Sequence, residues 1–134
     1  MRVLAAVRDL FFVARIRETA RLVGTQVAFA RSPDEVRAGL AGAPPDLLIV
    51  DLTTAGWDYG ALFGAVEACA PRVPVLGFTT HALARQTQPL HSRCTRVVTK
   101  ETLTKELGEV LRQGHPGGRP PLAAPSPAGP GGPA

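Results

Sequence analysis

The chain has 134 residues and a net charge of +4, with 45% apolar and 19% charged side chains, enough for one globular domain and too little for two cores. No apolar stretch approaches the ~20 residues of a membrane span, and the Val3–Val7 run is cut by Arg8 and Asp9 too early for a signal peptide. Cys69 and Cys94 have no C-x-x-C or histidine cluster around them, which argues against zinc and disulfides and for a reduced, cytoplasmic setting. Thirteen of the fifteen basic residues are scattered arginines with few aromatics between them, so direct nucleic-acid binding is not expected.

In chain order, Arg2–Val7 is a continuous apolar run, the pattern of a strand buried on both faces. Leu10–Val23 places Phe12, Ile16, Ala20 and Val23 on one helical face and stops at Gly24. Thr25–Ala30 reads as a strand. Ser32-Pro33-Asp34-Glu35 starts a helix, with serine as cap, proline in the first turn and glutamate three residues on to close a capping box. After Pro44-Pro45, Asp46–Asp51 is the clearest strand in the sequence. Ala61–Ala70 is a helix and Val73–Phe78 a strand. His81–Leu90 is a weaker helix interrupted by Pro89, and Arg96–Val98 a short strand. Thr102–Gln113 is a helix with Leu103, Leu107, Val110 and Leu111 on one side. From Gly114 on, 13 of 21 residues are Gly or Pro, too little apolar surface to order. The expected organisation is a folded domain, 1–113, and a flexible Pro/Gly-rich tail, 114–134.

Five strands and five helices in strict alternation predict an α/β fold, a doubly wound parallel sheet with helices on both faces. Ligands of such sheets sit beyond the carboxyl ends of the strands. There stand Arg8 and Asp9, then Asp51, then Thr79 and Thr80, then Thr99 and Lys100. In order and spacing this set resembles the receiver domain of two-component response regulators. That resemblance implies the flavodoxin-like strand order 2-1-3-4-5, Asp51 as phosphoacceptor, and Thr79 and Lys100 as the phosphate and switch residues. It also implies magnesium held by Asp9, Asp51 and the carbonyl of Thr53, since a carboxylate attacking an anionic phosphoryl donor needs cations nearby. Lys100 is expected to pair with Asp51. Asp9 also suits a helix cap, and Thr80 competes with Thr79 for the hydroxyl position.

The departures from that pattern are several. Arg8 stands where the first acid of the metal pair is usual, and is read as a counter-ion to Asp51. Ala55 replaces a common proline, Thr80 a small residue, Arg96 or Val97 an aromatic, and Glu101 the proline after the lysine. Magnesium binding is therefore expected to be weak or absent. Trp57 and Tyr59 read as anchors of the loop after Asp51. The resemblance implies a stand-alone signalling module, not an enzyme, of a two-component or phosphorelay pathway. Its partners would be a histidine kinase or phosphotransfer protein and a downstream effector, or a second copy bound at the face of the fourth helix, fifth strand and fifth helix. A phosphorylation-independent interaction module is the alternative. An aspartate-nucleophile phosphatase is a distant third, because Thr53 stands where that chemistry needs a second acid.

Overall fold

The computed structural model describes residues 1–117. It contains β1 (Arg2–Ala6), α1 (Leu10–Val23), β2 (Gln26–Ala30), α2 (Pro33–Leu40), β3 (Leu47–Asp51), α3 (Tyr59–Glu67), β4 (Val75–Thr79), α4 (Ala84–His91), β5 (Arg96–Thr99) and α5 (Lys100–Gln113). The strands form one parallel sheet in the order β2-β1-β3-β4-β5. That is the order implied by the resemblance.

Alternation along the central strand builds both cores. Leu47 and Ile49 face a cluster with Phe12 and Ile16 of α1 and Leu103 and Leu107 of α5. Leu48 and Val50 face the opposite cluster, with Val36 of α2 and Leu62 and Phe63 of α3. Each fully buried aliphatic side chain contributes about 1.5–3 kcal/mol, so the two layers hold the sheet from both sides. Tight packing also fixes Gly77 in β4. A Cβ there would stand 2.7 Å from Cys94 Sγ and 3.0 Å from Leu52 Cδ1. Burial pushes the half-buried Cys94 thiol up to about 11, which keeps it protonated against the core.

Several boundaries differ from the expected ones, each through a cap or a proline. Asp58 accepts a hydrogen bond from Ala61 N–H and starts α3 at Tyr59, ahead of the expected Ala61. Thr99 does the same for Thr102 N–H, so α5 begins at Lys100 with no loop after β5. Ser32 caps α2, but Glu35 reaches back to Arg31 N–H and not to Ser32, a capping box displaced by one residue. Gly114 ends α5 in the left-handed region at φ 70°, where a side chain would be strained. Beyond it Pro116 is buried and its carbonyl accepts from Arg96 Nη1 at 3.2 Å. Ordered structure thus continues four residues past the expected boundary at Gln113, and the rest of the expected tail lies outside the described residues.

Candidate functional site

The register brings the candidate residues to one edge of the sheet. Asp51 pairs with Phe78 and Thr79 with Thr99, while Ala6 pairs with Val50. The segments Arg8–Asp9, Asp51–Thr53, Thr79–Thr80 and Thr99–Lys100 therefore all leave their strands at the carboxyl edge. Their side chains sort into three separate hydrogen-bonded groups.

The first group is centred on Asp51, which is only 5% exposed. Its Oδ1 accepts from Thr53 N–H at 2.9 Å and from the Thr53 hydroxyl at 2.6 Å. Those two bonds are made within its own loop. Tyr59 fastens the same loop from α3: its hydroxyl donates to the Asp51 carbonyl at 2.6 Å and accepts from Thr54 N–H at 2.9 Å. Burial pushes the phenol above its ordinary range and keeps it protonated for that bond. The Trp57 ring lies 6.1 Å from that of Tyr59, so both aromatics do anchor the loop.

The second group joins Asp9 to Lys100. Asp9 caps α1, accepting at Oδ1 from the N–H groups of Phe11 and Phe12. Its Oδ2 accepts from Lys100 Nζ at 3.0 Å. The Lys100 bond and the Phe12 amide hold the Asp9 carboxyl below its ordinary value. Lys100 Nζ also lies 5.5 Å above the centre of the Phe12 ring. The expected partner of Lys100 was Asp51; its partner is Asp9. The direct passage from β5 into α5 accounts for this. With Thr99 as its cap, Lys100 is the first helical residue of α5, alongside the start of α1.

The third group holds Thr79, which is 3% exposed. Its hydroxyl lies 3.0 Å from that of Thr87 on α4, and Thr87 Oγ1 lies 2.9 Å from His91 Nε2. Thr79 is thus bonded into α4 and not toward Asp51. Arg8, read as a counter-ion to Asp51, is exposed and takes part in none of the six ion pairs among the described residues; nor does Asp51. That expected pair is not formed.

These bonds decide how well a dication would fit. A magnesium ion takes hard oxygen ligands in a near-ideal octahedron. Both Asp9 oxygens are already engaged, one by two amides and one by an ammonium, and Asp51 Oδ1 is held by Thr53. Arg8 occupies the remaining acidic station. The residues as arranged do not fit a magnesium centre, and no group of three or more metal-ligating side chains occurs among the described residues.

No family model matches the sequence, and no curated protein matches it. Solved structures do. The fold is that of a receiver domain. The chemotaxis response regulator CheY4 of Vibrio cholerae superposes with a TM-score of 0.66 at 25% identity, over 82% of this chain and 98% of that one. The receiver domain of a sensor histidine kinase from Pseudomonas aeruginosa, with magnesium in its active-site cleft, gives 0.67 at 20% identity over 84% and 94%. The receiver domain of NtrX from Brucella abortus gives 0.68 at 16% identity over 85% and 97%.

Sequence reasoning missed Thr87, whose hydroxyl bonds Thr79, and His91, which bonds Thr87 within α4. Nothing local marks Thr87, because its bond to Thr79 spans a helix and a strand. Sequence reasoning missed the cap at Thr99 as well, for which the available signal was a threonine followed by an acid within the first turn. No described helix is long and apolar enough to cross a membrane.

Proposed function

We propose that the chain is an atypical receiver module of a two-component or phosphorelay pathway, which acts through protein contacts and does not use Asp51 as a fast phosphoryl acceptor. The observation that carries this reading is the Lys100–Asp9 ion pair: the ammonium of the site edge neutralises a capping carboxylate. Phosphoryl transfer to a carboxylate brings two anions together and depends on cations positioned between them. Asp51 has no such cation paired with it among the described residues, and Thr79 is bonded to α4. On this reading the output is a standing contact with a protein partner, which requires that the unphosphorylated chain populate the binding-competent state.

That contact is assigned to the α4–β5–α5 face. Arg96 and Arg112 are paired there with Glu106 and Glu109, whereas Arg93, just after α4, is paired with Glu67 of α3. Arg85 and Lys105 enter no ion pair among the described residues, so they are the cations left to steer a partner, with more effect on association rate than on affinity. Leu83 and Leu90 are half-buried beside them.

The test is incubation with a small-molecule phosphodonor and magnesium, with intact-mass detection and Asp51→Asn as control. The expected result is no phosphoaspartate on the timescale of minutes. Rapid, magnesium-dependent labelling lost in Asp51→Asn would restore the conventional switch.

A further inference from the structure

The outer face of α1 carries a pattern that the acceptor edge does not use. Phe11 is 89% exposed and Leu22 68% exposed, although α1 buries Phe12, Ile16 and Ala20 on its other side. Single exposed apolar residues are ordinary. These two belong to a stripe, because Phe11, Arg15, Glu18 and Leu22 follow one another at steps of four, three and four. That is the spacing of one seam along a helix, about 16 Å from end to end at 1.5 Å per residue. The stripe borders a groove of about 550 Å³ whose other wall is α5 at Lys100 and Thr104.

The order of the four side chains is self-complementary. Set a second copy of α1 antiparallel across a two-fold axis that passes midway along the stripe. Phe11 then faces Leu22 of the partner subunit, and Arg15 faces Glu18 of the partner subunit; the same two contacts repeat on the other side of the axis. Antiparallel helices pair their seam positions in this way, and an isologous interface needs a patch that complements itself. The charges are available for it. Arg15 forms no ion pair among the described residues. Glu18 is paired only with Arg21, one turn along the helix, with side chains 58% and 68% exposed, a contact worth little.

We propose that α1 is a homodimer interface, in which two copies pack antiparallel through Phe11, Arg15, Glu18 and Leu22, apolar ends enclosing two reciprocal ion pairs. The occupant is a second copy of this chain because the stripe complements its own reverse in both charge and size. One helix from each copy makes a small interface, so the dimer is weak and concentration-dependent. It lies on α1 and borders α5, uses none of the residues assigned to the α4–β5–α5 contact, and does not depend on the reading of Asp51.

Sedimentation of the full chain up to about 1 mM tests the proposal. The wild type is expected to show a reversible monomer–dimer equilibrium. Arg15→Glu and Glu18→Arg each set like charges opposite one another and should weaken the dimer by at least about tenfold. Mixing the two single variants should bring association back as a heterodimer, and the double variant Arg15→Glu/Glu18→Arg should self-associate again. The side chains of the stripe are exposed, so circular dichroism should be unchanged and melting at low concentration shifted only slightly by the lost Glu18–Arg21 pair, which serves as the folding control. A wild type that stays monomeric throughout overturns the proposal. So does a dimer indifferent to Arg15→Glu, or one that neither mixing nor the double variant restores.

Discussion

The two helical layers beside the edge strand β5 are attached to the sheet by different physics. α5 buries Leu103, Leu107, Val110 and Leu111 against the sheet and α1, and is capped at both ends. α4 buries one residue, Thr87, has no side-chain cap and contains Pro89. The first is held by apolar area, which is non-directional and cooperative. The second is held by the single Thr87–Thr79 hydroxyl bond and by partly buried side chains such as Leu90, a smaller attachment whose polar part is directional and can be exchanged for water. This domain therefore has a frame on the α5 side and leaves α4 at the low end of local stability, where moving elements are found.

Removal of apolar volume from the frame should have the largest effect. Leu107→Ala is expected to cost about 2–5 kcal/mol, read as a fall in the denaturation midpoint. Asp9→Ala removes the α1 cap and the Lys100 ion pair together and should cost about 1–2 kcal/mol. Thr87→Val keeps the shape but leaves the Thr79 hydroxyl only its long bond to the Thr80 carbonyl and removes the bond to the half-buried His91 imidazole. Its cost of about 1 kcal/mol should appear as faster hydrogen exchange in α4, with α1 and α5 unchanged. A loss as large as that of Leu107→Ala, spread over the whole domain, would erase the distinction between the layers.

Smaller effects sharpen the same contrast. Because Asp9 titrates below its ordinary value when folded, its contribution is complete above that value and disappears as pH falls below about 4. Lys100→Gln should flatten that part of the acid-stability curve and cost less than about 1 kcal/mol at neutral pH, since both side chains are 38% exposed. Magnesium should have the smallest effect, with no saturable shift of Trp57 fluorescence below about 1 mM; saturation there would mean that Asp9 leaves Lys100 to bind the ion.

The legible and illegible parts of the site differ in range. Asp9, Asp51, Thr79 and Lys100 could be placed at one edge from sequence alone, because a parallel βα alternation sends every strand's carboxyl end the same way. Their bonds could not. Lys100 had two carboxylates at the same edge, and the choice of Asp9 followed from α5 starting without a loop. Arg8 seemed a natural counter-ion to Asp51 by proximity in order, yet it turns to solvent, where a guanidinium keeps its hydration.

The amino-acid sequence by itself determined the five strands, the five helices, their parallel arrangement and the edge on which polar chemistry collects. Those properties rest on period, capping residues and burial, which act over a few residues at a time. Tertiary structure alone decided which partner each polar side chain takes: Lys100 with Asp9, Asp51 with Thr53, Thr79 with Thr87. Hydrogen bonds hold only over about 3 Å, and a helix that starts two residues early moves a side chain farther than that.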